Sequence, residues 1–103
     1  MTRRASKVDA NQQQIVSALE AARCTVQSLA PIGRGCPDLL VAGPRKAYFN
    51  GKTDVAMFLL EIKNPDGKDE VNAAQTRWHI EWNAPVYVVR NAEAALRVVG
   101  VTA

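Results

Sequence analysis

An aspartate stands at an unusual place in the segment GCPDLLV, residues 35–41. Asp38 follows a proline and directly precedes an apolar run that predicts a buried strand. A carboxylate at the start of such a strand costs several kcal/mol unless it is paired or bound to a metal. Asp38 therefore predicts a partner nearby.

A second carboxylate ends the most strand-like segment of the chain, VAMFLLEIK at residues 55–63. Because strand side chains alternate between faces, Glu61 and Lys63 point the same way. If the strand of Asp38 lies beside this one, the three charged side chains converge at one sheet edge. Adjacent carboxylates repel unless a divalent cation lies between them, and Mg²⁺ accepts oxygen ligands while keeping several waters. The pattern predicts phosphodiester hydrolysis, with Lys63 either polarising a water or neutralising the charge that develops on the phosphate.

A purely structural interpretation of these residues is also open. Asp38 can cap a turn, and Glu61 can pair with Lys63 at a solvated strand end; on spacing alone the two interpretations have equal weight. The metal site is favoured because both acidic residues lie at the ends of apolar strands within a helix, three strands, helix, strand order.

The elements that must position these residues are predicted from periodicity and from glycine, proline and capping signals. Three helices are expected, over Asp9–Arg23 with Asp9 or Asn11 as N-cap, over Glu70–Trp82, and over residues 91–99 with Asn91 as N-cap and Gly100 after it. Four strands are expected over residues 24–29, 38–42, 55–63 and 84–90, the last of them buried, with a hairpin or protruding loop at 43–54 and a loop at 64–70. The class is α/β, in one domain over residues 9–103 preceded by a flexible basic arm at 1–8.

The second helix is predicted to turn Val71, Gln75, Trp78 and Trp82 inward. A buried amide at Gln75 needs hydrogen-bond partners, which a hydrated metal or a phosphate would supply, although a satisfied core glutamine is the alternative. His79 is the one histidine of the chain. A surface or packing role is favoured for it over a general base, and the tryptophans are favoured as core over a base-stacking platform.

The segments GRGCPDLLV, LLEIK, AAQTRWH and APVYVVRNAEAAL resemble the VRR-NUC branch of the PD-(D/E)XK nucleases, notably its small stand-alone members in phages and prophages. The resemblance covers about residues 9–98. It implies a restriction-endonuclease-like αβββαβ core, with a mixed central sheet flanked by helices. It also implies DNA cleavage that depends on Mg²⁺ or Mn²⁺, with branched or four-way junction substrates.

By this resemblance, Asp38, Glu61 and the main-chain carbonyl of Ile62 are metal ligands, Lys63 is the catalytic lysine, and Gln75 belongs to the catalytic set. Nucleases of this kind often carry an acidic residue on the first helix, whereas this chain has Gln14. Asn11 and Gln14 lie nearest the inner face of that helix and are the possible contributors from it. Their lack of charge argues against a second metal more than against the first.

Charge and composition agree with a DNA partner without requiring one, since 13 basic and 10 acidic residues give a net charge of +3. Six basic residues are expected to rim the site and follow a phosphate backbone: Arg34, Arg45, Lys46, Lys52, Lys68 and Arg77. The NGKT segment lacks the glycine of a phosphate-binding loop, so no nucleotide cofactor is expected.

No signal-peptide or membrane-spanning segment is visible in the sequence, which predicts a cytoplasmic protein.

A homodimer is expected, because Ile80 projects from the outer face of the second helix and Val98, Val99 and Val101 would add apolar surface near the end of the chain. The alternative to a nuclease is a catalytically weak or inactive nuclease-fold module for DNA binding or assembly.

Overall fold

The computed structural model describes residues 7–44, 46–47, 53–54 and 56–101, so residues 1–6 of the predicted arm lie outside it. Three α-helices and six strands follow one another in these residues. They are α1 (Lys7–Ala21), β1 (Thr25–Ser28), β2 (Leu39–Ala42), β3 (Lys46–Ala47), β4 (Thr53–Asp54), β5 (Met57–Ile62), α2 (Ala73–Glu81), β6 (Val86–Val89) and α3 (Ala92–Val98), with a 3₁₀ turn at Ala30–Ile32. This confirms the α/β class and the predicted order of elements, to which the short β3–β4 pair is added.

The central sheet is mixed, with strand order β1-β2-β5-β6. β1 pairs antiparallel with β2, and β2 pairs antiparallel with β5, with Leu39 opposite Leu60. β6 lies parallel to β5 on the other side, with Glu61 opposite Val88. A parallel neighbour requires a crossover connection, and α2 supplies it. The strands that carry Asp38 and Glu61 are therefore adjacent.

The apolar core lies between one face of this sheet and the helices α1 and α3. Its fully enclosed side chains include Ile15 and Leu19 of α1, the strand residues Leu39, Val41, Leu60, Ile62 and Val89, and Ala95 of α3. Leu60 and Ile62 enter this core, so the alternating residues Glu61 and Lys63 lie on the opposite face, under α2.

α1 shows the predicted inward face but not the predicted cap. Because the helix begins at Lys7, Asp9 and Asn11 lie inside it and cannot serve as N-cap. Asn11 is instead buried, and its Nδ2 donates to the carbonyl oxygens of Lys63 at 3.0 Å and Arg90 at 2.9 Å. These carbonyls lie just beyond the ends of β5 and β6, so Asn11 ties α1 to the two strand ends.

Two predictions about buried surface are wrong. β6 is an edge strand with Tyr87 and Val88 exposed, rather than a buried strand. The apolar residues near the end of the chain do not form an outer surface, because Val99 lies in the core and Val98 and Val101 pack against it. α3 itself has the predicted ends, with the Asn91 side chain accepting from Ala94 N at 2.8 Å.

No helix in the described ranges combines the length and the apolar composition that crossing a membrane requires.

Replacing Asn11 by leucine should destabilise the protein by about 2–4 kcal/mol, because two buried carbonyls lose their donor at once. Urea unfolding measures this free energy. Gln13→Leu on the exposed side of the same helix is the matched control, and it should change stability by less than about 0.5 kcal/mol. Equal losses of unfolding free energy in the two variants would show that the hydrogen bonds of Asn11 to the strand ends do not stabilise the protein.

Candidate active site

Asp38 reaches the end of β5 through both its main chain and its side chain. Its N–H donates to the carbonyl of Leu60 at 3.0 Å, and its Oδ2 accepts from the N–H of Ile62 at 2.7 Å. These bonds hold the carboxylate beside Glu61. Since the N–H and C=O of one strand residue point to the same side, the Ile62 carbonyl is also directed toward the β2 side of the strand.

Glu61 is almost completely enclosed, with 1% of its surface exposed. Its Oε2 accepts from Gln75 Nε2 at 3.0 Å, whereas its Oε1 is buried without a hydrogen-bond partner. Burial raises the pKa of Glu61 to about 8; the neighbouring Asp38 carboxylate adds to the rise, and Lys63 opposes it. Without a cation, this carboxyl group therefore favours its protonated form at neutral pH.

Lys63 and Gln75 form the other half of the site. The Lys63 side chain is buried, and its Nζ donates to Gln75 Oε1 at 2.8 Å. The same Oε1 accepts from the N–H of Asn72 at 3.0 Å, while Asn72 Oδ1 accepts from the N–H of Gln75 at 2.9 Å. This reciprocal pair caps α2, so one amide fixes the start of the helix and also contacts Lys63 and Glu61.

Gly35 allows α2 to approach closely enough for these contacts. Its φ of +84° lies in the left-handed region that favours glycine. A Cβ at this position would collide with the main chain of Ala74 in the first turn of α2. The glycine before Cys36 and Asp38 therefore serves the packing of the helix over the site.

The loop between β5 and α2 is held by Arg90. Its Nη1 donates to Asp69 Oδ1 and to the carbonyl of Asn64, both at 2.9 Å. Although burial opposes it, hydrogen bonds from the main chain of Asn64 and from Arg90 lower the pKa of Asp69. The ion pair between Arg90 and Asp69 therefore fixes the segment that follows Lys63.

His79 is the site residue that sequence reasoning set aside. Its Nε2 is buried without a hydrogen-bond partner, 3.6 Å from the unpartnered Oε1 of Glu61. The available signal was spacing: His79 lies four residues after Gln75, so both side chains leave the same face of α2. The rest of the predicted stripe is only partly inward, because Val71 precedes the helix and Trp82 is half exposed.

The remaining predicted residues divide into three groups. Gln14 is solvent-exposed on α1, so of the helix-1 candidates Asn11 alone is buried near the site, through the Lys63 carbonyl. Arg34 and Arg77 line the same surface depression beside α2, and Lys68 is exposed on the preceding loop. Arg45, Lys52 and the side chain of Lys46 lie outside the described residues.

The donor set fits a hard divalent cation. Asp38, Glu61 and the Ile62 carbonyl offer oxygen atoms, and the buried, unpartnered Oε1 of Glu61 is a ligand atom with no other occupation. A cation there would also remove the repulsion that favours protonation of Glu61. Among the described residues, no group of three or more His, Cys, Asp and Glu side chains already has metal-binding geometry, so Asp38 and Glu61 need further ligands to hold a cation.

The sequence matches no protein-family model and no curated protein. A solved structure described as a VRR_NUC domain is similar to the chain, with a TM-score of 0.64 and 25% sequence identity. The match covers 92% of this chain and 96% of that one, so it includes nearly all of both molecules. Together with the mixed sheet and its flanking helices, it confirms the predicted restriction-endonuclease-like fold.

In EDTA, the protein should lose stability as the pH rises from 5.5 to 7.5. The pKa of Glu61 is raised from 4.5 to about 8 on folding, so in this window the folded state holds a proton that the unfolded state has released. Unfolding free energies from urea titration should therefore fall by roughly 1 kcal/mol per pH unit from this group.

Glu61→Gln should remove most of that slope, because its amide does not titrate. A slope that is unchanged in the variant would show that Glu61 does not hold the proton.

Proposed function

From the similarity of the chain to a solved VRR_NUC domain, we propose that this protein is a metal-dependent endonuclease that hydrolyses phosphodiester bonds in DNA. The observation that carries the proposal is the pair of adjacent carboxylates, Asp38 and Glu61, enclosed beneath Gln75 and next to Lys63. The structural alternative predicts that Glu61 lies at a solvated strand end, whereas Glu61 is enclosed.

Asp38, Glu61 and the Ile62 carbonyl would hold the cation, Mg²⁺ or Mn²⁺, which when bound supplies Lewis-acid activation of water and of a phosphate oxygen. Gln75 orients Glu61 by donating to its Oε2, which leaves Oε1 available. Asn11 fixes the main chain at Lys63, and thereby the origin of the lysine side chain.

Lys63 is proposed to stabilise the transition state. Its ammonium group is held by the carbonyl oxygen of Gln75, which accepts a hydrogen bond but carries no full charge. A cation with a neutral partner remains able to bind the extra negative charge that develops on the phosphate. Arg34, Arg77 and Lys68 are proposed to contact the DNA backbone near the site, where their charge would strengthen binding of any sequence.

Selectivity for branched or four-way junction DNA is part of the proposal, and a cleavage panel tests it. The panel compares single-stranded, duplex, flap and four-way substrates with Mg²⁺, with Mn²⁺ and with EDTA. Cleavage that needs the cation and prefers branched substrates is expected. DNA binding without cleavage under every cation condition would favour the inactive nuclease-fold module.

A second copy of the chain is the proposed partner for an apolar groove of about 510 Å³ beside α2. Ile32, Met57, Trp82 and Tyr87 line it with exposed side chains, and none of its described lining residues is charged, which disfavours a DNA phosphate as its occupant. Cys36 also lines the groove, two residues before Asp38, so a dimer formed there would bring two sites close together. Paired cleavage of a four-way junction requires two such sites at a fixed separation.

Replacing Lys63 by methionine should reduce the cleavage rate by at least about 100-fold, while DNA affinity stays within a few fold, since the lysine acts in the transition state. Single-turnover cleavage and fluorescence anisotropy measure the two effects. Arg97→Met, which removes an exposed cation on α3, should bind DNA and cleave it at nearly the normal level. Equal losses of binding and rate for Lys63→Met would contradict the assigned role.

Light scattering at micromolar concentration should give about twice the 11.2 kDa mass of one chain. Trp82→Glu should produce monomers by placing a charge in the groove. Ile80→Glu tests the contact that the sequence predicts on the outer face of α2, because Ile80 is 78% exposed but does not line the groove. This variant should stay dimeric, and monomers from Ile80→Glu alone would place the contact at Ile80 instead. A monomeric wild-type protein would rule out the dimer, and with it paired junction cleavage by a free dimer.

A further inference from the structure

His79 and Glu61 present two buried polar atoms to each other, and neither has a hydrogen-bond partner. Buried polar atoms without partners are rare in folded proteins, and two facing each other call for an explanation. The separation of His79 Nε2 and Glu61 Oε1 is 3.6 Å, which is too long for a hydrogen bond.

This separation does suit two ligands of one metal ion. Ligand atoms bound at about 2.1 Å lie roughly 3.0 Å apart at a right angle and roughly 3.4 Å apart at a tetrahedral angle. Closing the gap needs a movement of only a few tenths of an ångström. The other oxygen of Glu61 is held by Gln75, so Oε1 is the atom left for the cation.

We propose that His79 is a nitrogen ligand of the cation bound at Asp38 and Glu61, so that the site favours transition-metal ions such as Mn²⁺ and Co²⁺ over Mg²⁺. The inference rests on the proposed metal-dependent function and adds to it the class of cation used. Imidazole nitrogen is a better ligand for transition metals than for Mg²⁺, which prefers oxygen.

The movement required is local to one side chain. The side chain of His79 is 19% exposed, so it borders solvent and is not locked within the core. The described residues hold no ready-made group of three such side chains, so the proposal requires His79 to lie closer to Glu61 and Asp38 in the metal-bound protein.

The direct test uses the fact that the chain has one histidine. Untagged protein is loaded with Mn²⁺, and pulsed electron paramagnetic resonance is recorded with ¹⁴N-histidine and with ¹⁵N-histidine. A nitrogen coupling that changes with the isotope is expected, and it can arise only from His79. Bound Mn²⁺ without this coupling would overturn the proposal.

Metal titration by calorimetry provides the second measurement. His79→Ala should weaken binding of Co²⁺ about 10-fold or more and change Mg²⁺ affinity much less, by analogy with the usual loss when a residue that supports a metal site is removed. All proteins carry Cys36→Ser, because a thiol near the two carboxylates could itself bind Co²⁺. Burial, followed by the charges of Glu61 and Asp38, raises the pKa of this thiol. Ile80→Ala, at an exposed position of the same helix, controls for changes in α2.

The outcomes separate this inference from the proposed function. Equal losses for Co²⁺ and Mg²⁺ in His79→Ala would assign His79 a structural role and overturn the inference, while leaving a metal-dependent nuclease intact. No binding of any divalent cation, together with undiminished cleavage in EDTA, would overturn both.

Discussion

An enclosed carboxylate beside a second carboxylate is the constraint on which the rest of this structure depends. Glu61 has 1% of its surface exposed and lies next to Asp38, so its ionised form is opposed by both burial and repulsion. Lys63 does not offset this cost by forming an ion pair with Glu61, because its Nζ donates to Gln75 Oε1. One oxygen of Glu61 is held by Gln75 and the other is left without a partner. Such an arrangement is costly for stability and useful for binding a cation.

The fold supports this costly site from the opposite side of the sheet. α1 and α3 cover one face with a continuous apolar core, whereas α2 has no fully buried residue and packs over the site through polar contacts. Local hydrogen bonds replace apolar burial there: Gln75 caps the helix while it holds Glu61, and Gly35 lets the first turn approach. The core can therefore maintain the sheet while the α2 face carries the chemistry.

The sequence predicted those features that follow from alternation along a strand and from strand adjacency. Asp38, Glu61, Lys63 and Gln75 meet as expected, because their positions depend on local periodicity and on one correct pairing of strands. Whether a strand lies at the edge of the sheet, and which side chains a helix brings together across the fold, could not be predicted from local periodicity. The apolar run of β6 suits a central or an edge strand equally well, and it proved to be an edge. His79 was undervalued because a histidine beside a tryptophan is usually a packing residue, and its approach to Glu61 appears only in three dimensions.

Asn11 supports the site through an amide that carries no charge, whereas Gln14, where the resemblance implies an acidic residue, is exposed. An ionised acidic residue in place of Asn11 could not donate to the carbonyls of Lys63 and Arg90. The amide donates to both, so α1 contributes rigidity at the end of β5 in place of charge. The carboxylates that meet at the site are Asp38, from the start of β2, and Glu61, from β5. Rigidity at the end of β5 thus comes from α1, whereas the group that faces the unpartnered oxygen of Glu61, the imidazole of His79 at 3.6 Å, comes from α2.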